Sequence, residues 1–423
     1  MTPLYAYYGD DFTGSTDVLE QLAEGGVPAV LFLRAPDERL RARFPDARAI
    51  GLAGDARSRT PAWMDAELPA LLTALNPAGI VHYKTCSTFD SSPVVGSIGR
   101  ALDIGLAQLG GPAAIVVGAP HLRRYVAFAT LFAAGGSAVH RIDRHPTMAH
   151  HPVTPMHEAD LIRHLAAQTD ATIGHVSLEA LHAGRADEAF DAASANDAVL
   201  FDGMTTEDLA ITGQILVGRA IRFAVGSSGV TRALVLAWRA AGLIGATPTK
   251  VRAEPVDRLL VVSGSCSPVT ARQLARARAG GYTAIAANVP AILRGEQAET
   301  DSLIARATAA LADTGRAVIQ SAEGPLSDAP AAGEALGIAL GRVAAATVAR
   351  TGIRRLLFAG GDTSSHGVAQ LGIDALTWAA PIEAGAPLVR AHAADAAVDG
   401  LELVLKGGQM GSEDFVEVVR RGG

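Results

Sequence analysis

Short apolar segments alternate with longer helix-like segments along almost the whole chain, and this alternation restricts the folds that it can adopt. The pattern is typical of βαβ units, in which helices cover the faces of a parallel sheet. The predicted strands that precede the most polar loops are Leu4 to Tyr8, Ala49 to Leu52, Ile80 to Lys84, Leu259 to Ser263, Arg355 to Ala359 and Leu401 to Leu405. We therefore predict an α/β protein with two α/β domains, mainly parallel sheets and an active-site cleft between the domains.

The length of 423 residues also favours two domains, because a domain commonly has roughly 100 to 200 residues. Residues 244–256 have the composition of a linker between two periodic segments. The predicted domains are therefore residues 1–243 and residues 257–423. Lys250 lies in the predicted linker, and we interpret it as a solvated charge.

The composition excludes several classes of protein. Apolar residues make up 49% and charged residues 19% of the chain, as in a compact globular protein. A net charge of −7 argues against nucleic acid or an anionic membrane as the partner. Two cysteines, Cys86 and Cys266, cannot form a disulfide framework, and no apolar run reaches the roughly 18 residues of a membrane span. Because Asp10 and Asp11 lie where a signal peptide would be apolar, we expect a soluble, cytoplasmic protein.

Two carboxylates lie in the loop Gly9-Asp-Asp-Phe-Thr-Gly-Ser-Thr-Asp17, directly after the first predicted strand and before a helix predicted over Asp17 to Gly25. In open α/β sheets, ligands bind at the carboxyl ends of the strands. Asp10 or Asp11 could accept a proton from a substrate hydroxyl or hold a metal ion. The alternative is that one of them only caps the helix.

Lysine is rare in this chain, with three lysines among 36 basic side chains, so a retained lysine indicates a place where a compact ammonium is needed. Lys84 opens the polar loop Lys84-Thr-Cys-Ser-Thr-Phe-Asp-Ser-Ser92, whose hydroxyls suit a polyhydroxylated acid. Asp90 to Ser92 could instead cap the following helix, and Cys86 fits a packing role because no histidine adjoins it. In a third loop, Gly54 to Arg59, Arg57 or Arg59 could bind a carboxylate through two hydrogen bonds.

Three glycine-containing loops follow strands of the second half: Ser263-Gly-Ser-Cys-Ser267, Gly360-Gly-Asp-Thr363 and Lys406-Gly-Gly-Gln-Met-Gly411. One such loop is a weak signal, because α/β proteins use glycine to reverse direction. Three at the strand ends of one half indicate a bound nucleotide or phosphate. The chain has no G-x-x-x-x-G-K-[ST] motif and no G-x-G-x-x-G in its first βα turn, which argues against a P-loop ATPase and a standard dinucleotide dehydrogenase.

The segment Arg141 to Met156 is rich in histidine, and its prolines, Pro146, Pro152 and Pro155, exclude a regular helix. The histidine spacing matches no zinc motif. We predict an irregular loop with one or two histidines facing the substrate, and no metal site.

In their order along the chain, these six motifs resemble those of the four-carbon acid sugar kinases, which phosphorylate short sugar acids with ATP. The likeness covers nearly the whole chain. It implies that residues 1–243 bind the small-molecule sugar acid and that residues 257–423 bind ATP with Mg²⁺. It leaves open which acid is used, among threonate, 3-oxo-tetronate and oxo-isoapionate, and whether the protein is a homodimer.

Position by position, the resemblance implies substrate contacts from Asp10, Asp11, Arg57, Lys84, Thr85, Cys86, Ser87 and Asp90. It implies nucleotide contacts from Ser263, Gly264, Ser265, Gly360, Gly361, Asp362, Thr363, Lys406, Gly407, Gly408, Gln409, Met410 and Gly411. We predict that Asp10 accepts the proton of a primary hydroxyl, with Asp11 as the alternative base. Arg57 would hold the carboxylate, and Lys84 would orient the substrate or approach the γ-phosphate.

Two other classes of function stay open at this point. One is an NAD(P)-dependent sugar-acid dehydrogenase, or a sugar-acid isomerase, against which the missing dinucleotide motif argues. The other is a non-catalytic sensor that binds a sugar acid and a nucleotide without turnover.

Overall fold

The computed structural model describes residues 2–151, 153–245, 251–321 and 330–423, without the side chains of residues 330–332 and 362. The chain divides into an N-terminal unit, Met1–Ala29 with Ala35–Pro248, and a C-terminal unit, Val30–Arg34 with Thr249–Gly423. Lys250 and Pro152 lie outside the described residues, so the interpretation of Lys250 stays a prediction. The predicted linker at 244–256 and the predicted cleft also stay predictions.

The first 245 residues contain strands and helices in alternation over most of their length. The strands are β1 Tyr5–Gly9, β2 Ala29–Phe32, β3 Ala49–Ala53, β4 Ile80–Lys84, β5 Ala113–Val116, β6 Arg124–Ala127, β7 Thr130–Gly135, β8 Ala138–Arg141, β9 Ile173–Val176, β10 Ala198–Phe201 and β11 Phe223–Gly226. The helices are α1 Phe12–Glu24, α2 Glu38–Ala42, α3 Pro61–Leu75, α4 Ile98–Leu109, α5 Leu161–Ala166, α6 Leu178–His182, α7 Ala186–Ala193, α8 Thr206–Gly218 and α9 Ser228–Ala240.

The N-terminal unit has a parallel sheet in the order β3-β1-β4-β11-β5-β10-β9. Strands β1, β4, β5, β10 and β11 are buried along their whole length, which is why they appear in the sequence as continuous apolar runs. Because the strands are parallel, their carboxyl ends all lie at one edge, and the loops that leave this edge are neighbours. We call this edge, where the sequence predicts that the substrate binds, the substrate edge.

Strands β6, β7 and β8 form a separate antiparallel sheet that we did not predict from the sequence. The turn between β6 and β7 has two non-glycine residues at positive φ, Phe128 at 51° and Ala129 at 60°. The buried carboxylate of Asp202 accepts hydrogen bonds from both of their N–H groups, at 2.7 and 3.0 Å. The side chain of Asp202, which directly follows β10, therefore holds a strained turn in place, and this partner is 73 residues distant in the chain from Ala129.

The remaining elements belong to the C-terminal unit. The strands are β12 Leu259–Ser263, β13 Thr283–Ala286, β14 Arg316–Gln320, β15 Arg355–Ala359, β16 Ile373–Glu383, β17 Ala386–Ala393 and β18 Glu402–Lys406. The helices are α10 Pro268–Ala279, α11 Val289–Leu293, α12 Gln297–Asp313, α13 Pro330–Thr351, α14 Gly361–Ala369 and α15 Phe415–Arg421.

The sheet of the C-terminal unit has the order β13-β14-β12-β15-β18-β17-β16-β2. Strands β12 to β15 and β18 pair in parallel, whereas β16 pairs antiparallel with both β17 and β2. The long strand β16 was missed in the sequence because Pro381 and the register shifts along it weaken its alternation of side chains. Residues 30–34 belong to this unit although they lie near the start of the chain.

The predicted fold class, α/β with mainly parallel sheets in two domains, is confirmed. Among the described residues, every helix is too short or too polar to cross a membrane.

Candidate functional site

Three of the predicted loops meet at the substrate edge because β1, β3 and β4 are adjacent strands. The backbone N–H of Asp10 donates to the carbonyl of Lys84 at 2.9 Å, and the N–H of Arg57 donates to the carbonyl of Asp10 at 3.1 Å. These two hydrogen bonds join the loops directly. The sheet therefore brings Asp10, Arg57 and Lys84 together.

Asp11 caps helix α1, and this explains why the helix begins at Phe12 rather than at the predicted Asp17. Its Oδ1 atom accepts a hydrogen bond from the N–H of Gly14 at 2.6 Å. Arg57 Nη1 lies 3.2 Å from its Oδ2 atom. A Cβ atom on Gly14 would lie 2.4 Å from Asp11 Oδ1 and 2.8 Å from Lys84 Nζ, so a side chain there would displace both charged groups. Asp11 thus serves the helix and the Arg57 ion pair.

Asp10 differs from its neighbour because its carboxylate has no such role. The residue is 4% exposed, and in the described structure its buried Oδ1 atom has no hydrogen-bond partner. Burial, and then the negative charge of Asp11, raise the pKa of Asp10 to about 8, although Arg57 and Lys84 act in the opposite direction. An unpaired carboxyl with a pKa near neutrality is suited to exchange a proton with a bound molecule.

Arg57 is held between two carboxylates. Its Nη2 atom donates to Asp90 Oδ2 at 2.7 Å, in addition to the contact of Nη1 with Asp11. Asp90 also accepts hydrogen bonds from Thr88, at 2.5 Å, and Thr154, at 2.9 Å. Burial alone would raise the pKa of Asp90, yet Arg57 and the Thr88 hydroxyl lower it to about 2. Asp90 is therefore ionised at neutral pH and committed to these partners.

Lys84 is 2% exposed, and its nearest acid is Asp17 of α1, with Nζ 3.7 Å from Oδ2. This distance is an ion pair without a hydrogen bond. The other carboxylate oxygen of Asp17 is buried and has no hydrogen-bond partner in the described parts of the chain. The ammonium of Lys84 is therefore oriented by charge alone, and it keeps hydrogen-bond donors for a ligand.

The next three predicted contacts differ in their accessibility. Thr85 is fully buried, and its N–H donates to the carbonyl of Gly226 at 2.7 Å. Cys86 is half-buried and accepts a hydrogen bond from Thr88 at 2.9 Å, while Ser87 is half-buried. Thr85 therefore anchors the loop to β11, and Cys86 and Ser87 are the two that a ligand could reach.

Thr154 and Asp17 were not predicted as site residues. Thr154 lies in the irregular segment that we noticed only for its histidines and prolines, and it reaches Asp90. Asp17 carries a pattern signal in retrospect, because a carboxylate in the apolar stripe of a helix indicates a buried partner. No sequence signal distinguishes Thr154 from other threonines.

The three glycine-containing loops of the C-terminal unit also meet, because they follow the adjacent strands β12, β15 and β18. The N–H of Gly264 donates to the carbonyl of Ala359 at 3.2 Å, and the N–H of Gly360 donates to the carbonyl of Lys406 at 2.8 Å. A Cβ atom on Gly264 would lie 2.1 Å from Thr363 Oγ1. The loops of Ser263 to Ser265 and of Gly360 to Thr363 are thus in direct contact.

Helix α14 begins inside this group of loops with no side chain to cap it. Its first residue follows Gly360, which has no side chain that could accept a hydrogen bond from the first turn. Gly361 faces open space, since a Cβ atom there would have no described atom within 4 Å beyond its chain neighbours and its own helix backbone. Free N–H groups at a helix N-terminus form a binding site for phosphate oxygens, and open space beside them allows a ligand to approach.

Lys406 shapes the third loop from inside. It is 1% exposed, and its ammonium donates to Thr270 Oγ1 at 3.0 Å and to the carbonyls of Gly407 at 3.0 Å and Met410 at 3.1 Å. Burial lowers the pKa of Lys406 to about 8. Gln273 donates to the carbonyls of Met410 and Gly411, both at 3.0 Å.

The carbonyls of this loop therefore face the protein, and Thr270 also donates to that of Gly408 at 2.9 Å. Gly407, Gly408 and Met410 are half-buried, and Gln409 is exposed. The backbone of residues 407–411 is fixed by side chains beneath it.

Comparison with known proteins finds a matching family profile for each unit. A family profile described as a sugar-binding N-terminal domain matches residues 5–234, and one described as a nucleotide-binding C-terminal domain matches residues 260–416. A 3-oxo-isoapionate kinase of Paraburkholderia graminis is 45% identical, over 99% of this chain and 94% of its own. A 3-oxo-tetronate kinase of Methylobacterium radiotolerans is 31% identical over 96% of each chain.

Two solved structures share the fold. A protein of Salmonella typhimurium LT2 aligns with a TM-score of 0.80 and 24% identity, over 100% of this chain and 99% of its own. A protein of Haemophilus influenzae aligns with a TM-score of 0.71 and 24% identity, over 98% and 99%.

Proposed function

This chain belongs to the four-carbon acid sugar kinase family, and we propose from this premise that it transfers the γ-phosphoryl group of ATP to a primary hydroxyl of a small sugar acid. The relative at 45% identity is a 3-oxo-isoapionate kinase, whereas relatives near 31% are 3-oxo-tetronate kinases. We therefore propose an oxo-isoapionate-type acid as the first substrate to test, and a 3-oxo-tetronate or threonate as the second. The N-terminal unit would bind this acid and the C-terminal unit the nucleotide.

The observation that carries the proposal is the unpaired, buried carboxyl of Asp10. Phosphoryl transfer to an alcohol requires a group that accepts the hydroxyl proton as the oxygen bonds to phosphorus and ADP leaves. Asp10 has a free Oδ1 atom and a pKa raised by burial to about 8, so it takes the proton in our proposal. Asp11 is less suited to this role because its oxygens accept hydrogen bonds from Gly14, Thr13 and Arg57.

Lys84 supplies the second element of the proposed substrate site. Its ammonium is buried, is paired with Asp17 only at 3.7 Å, and adjoins Asp10 through the loop hydrogen bond. We propose that it orients the acceptor hydroxyl, or neutralises phosphoryl charge, as a compact cation does. Thr85, Cys86, Ser87 and Asp90 would complete the site, with Asp90 acting through Arg57.

The loops of the C-terminal unit fit a nucleotide. The uncapped start of α14, together with the contacts among the three loops, offers backbone N–H groups to phosphate oxygens. The proposed contacts are Ser263, Gly264, Ser265, Gly360, Gly361, Thr363 and the loop Lys406 to Gly411. The side chain of Asp362, another predicted contact, lies outside the described residues.

We include Mg²⁺ in the proposal as the ion that accompanies ATP. Mg²⁺ keeps several waters and is commonly bound by one or two carboxylates plus the phosphates of the substrate, so it requires no preformed cluster. Within the described ranges, no three metal-ligating side chains lie together. When bound, the ion would neutralise charge on the phosphates. Action in the cytoplasm, and a homodimer, remain predictions from the sequence.

The decisive experiment is an ADP-release assay with Mg-ATP over 3-oxo-isoapionate, 3-oxo-tetronate, threonate and erythronate. We expect ADP release with at least one acid, and the absence of release with all of them would refute the kinase proposal. Thermal shifts with the acid and with Mg-ATP in the absence of turnover would instead indicate a sensor. A shift with NADH beside none with Mg-ATP would indicate a dehydrogenase.

A further inference from the structure

Arg124 is a half-buried cation that has no acidic partner in the described parts of the chain. Its Nη1 atom donates to the carbonyls of Leu122 at 3.0 Å, Arg123 at 3.3 Å and Ala134 at 3.4 Å. Its Nε atom is buried without a hydrogen-bond partner. No described carboxylate lies within ion-pairing distance of its guanidinium, so carbonyl dipoles alone offset its positive charge.

This arrangement is energetically unfavourable for the isolated protein. A cation removed from water is normally paired with an anion, because neutral dipoles replace only part of its hydration. Burial accordingly lowers the pKa of Arg124 from its usual value. A bound anion would supply the missing partner and would gain from the low local polarity.

Arg124 belongs to the substrate edge. It lies on the segment that leaves β5, and β5 neighbours β11, which in turn neighbours β4. Cys86, which follows Lys84 by two residues, lies near enough to both Arg124 and Arg57 to affect the pKa of each guanidinium. The fixed turn held by Asp202 leaves β6, and with it Arg124, little freedom to move away.

Arg57 is differently placed. Both of its terminal nitrogens already contact carboxylates, those of Asp11 and Asp90. A substrate carboxylate at Arg57 would compete with these two acids and would be repelled by them. At Arg124 the same carboxylate would meet no described acid within contact distance.

We propose that Arg124 binds the carboxylate of the sugar acid, while Arg57 positions Asp11 and Asp90. This inference rests on the proposed kinase function and adds the residue that recognises the acid group. The planar guanidinium can bind a carboxylate through two parallel hydrogen bonds, which selects an acid over a neutral sugar of the same shape.

The test compares Arg124→Met with Arg123→Met on a sugar acid and on its uncharged primary amide. Arg123 is the matched control because it is adjacent and also donates to carbonyls, those of Gly136 and Ser137, but is exposed. We expect Arg124→Met to lower kcat/KM for the acid about 10- to 100-fold, chiefly through KM, and to leave the amide unchanged. Arg123→Met should change neither. Arg124→Lys should recover only part of the loss, because it restores the charge without the fork.

A loss that is equal for acid and amide would overturn the inference, since that is the result expected of a structural role. If Arg124→Met fails to fold, Arg124→Gln, which retains donors for the loop carbonyls, supplies the same acid-to-amide ratio. Wild-type turnover is measured first, so a chain that releases no ADP with any acid refutes the proposed function. In that event calorimetric binding of the acids tests the role of Arg124 separately from the kinase function. If the wild type binds an acid and Arg124→Met does not, the inference is supported. If Arg124→Met still binds the acid, or the wild type binds none, the inference is rejected.

Discussion

The ends of the strands in the two units use different means to prepare a site. At the substrate edge, ionisable side chains are buried with incomplete hydrogen bonding: among the described residues, Asp10 Oδ1 has no donor, and the Lys84 ammonium has an acid at 3.7 Å but no hydrogen bond. In the C-terminal unit, the loops present glycine and small hydroxyls, and the buried cation Lys406 has its donors satisfied. The first arrangement leaves ionisable groups available to a ligand, whereas the second fixes the conformation of the loop backbone.

Lys84 and Lys406 show this difference between the two units most directly. Both are almost completely buried, and both end a strand. The ammonium of Lys84 makes no hydrogen bond within the described structure and lies 3.7 Å from a carboxylate, whereas the ammonium of Lys406 donates to loop carbonyls and holds them in place. In our proposal the same residue type therefore binds a ligand in one unit, whereas in the other unit it holds the loop itself.

The largest effect should come from Asp10→Asn. If Asp10 accepts the proton, this variant should lower kcat at least about 100-fold while leaving the affinity for ATP nearly unchanged. Steady-state kinetics and nucleotide titration measure the two quantities. Asp11→Asn is the matched variant, and it should lose less, because asparagine also caps a helix. Equal losses in the two variants would show that the contrast between the aspartates is wrong.

The pH dependence sharpens the same comparison. Because a base acts only when deprotonated, kcat/KM should rise with pH and level off near the pKa of Asp10, about 8. A carboxyl with a raised pKa in the folded state also makes the fold less stable as pH rises, by about 1.4 kcal/mol per pH unit between its unfolded and folded pKa values. Asp10→Asn should remove this loss, so its melting temperature should exceed that of the wild type more at pH 8 than at pH 5. A constant difference across this range would contradict the assignment.

Replacing each lysine by arginine should separate charge from shape. Lys84→Arg should lower kcat roughly 100-fold, because the planar group displaces the charge from its position beside Asp10, with ATP affinity retained. Lys406→Arg should instead lower the melting temperature and raise the KM for ATP, because the larger group does not fit among the loop carbonyls. Lys250→Arg, our predicted linker position, should change neither quantity. A loss of ATP affinity in Lys84→Arg would contradict the assignment of the two lysines to different roles.

The smallest of these effects should come from Gly361→Ala. The added methyl group meets no described atom within 4 Å beyond its own helix, so the fold should keep its stability, but the group would enter the space beside the uncapped start of α14. We expect a several-fold increase in the KM for ATP without a change in melting temperature. Gly218→Ala in α8, where the Cβ atom also has open space, is the control and should leave the KM unchanged. A normal KM in Gly361→Ala would remove this helix start from the nucleotide site.

The sequence predicted correctly which loops follow the ends of the buried strands. Strands β1, β4, β12 and β15 are apolar runs, and the polar loops after them lie at the carboxyl ends of the sheets, as parallel strand order requires. The structure added what depends on contacts distant in the chain. Arg57 is paired with Asp11 and Asp90, which lie 46 and 33 residues from it in the chain. Among the described residues, Arg124 has no acidic partner at all. With 33 arginines in the chain, no local pattern distinguishes Arg124 from the others.

Strand β2 shows that the order of synthesis and the order of assembly differ in this protein. Residues 30–34 leave the ribosome early, yet Leu31 and Phe32 pair with β16, whose residues are made more than 300 positions later. The C-terminal unit therefore cannot complete its sheet until an early segment is inserted at its edge. A gene fragment that encodes only residues 249–423 would leave β16 with an unpaired edge, a known cause of aggregation. Laboratories that express the C-terminal unit separately should supply the missing strand as a peptide or a fusion.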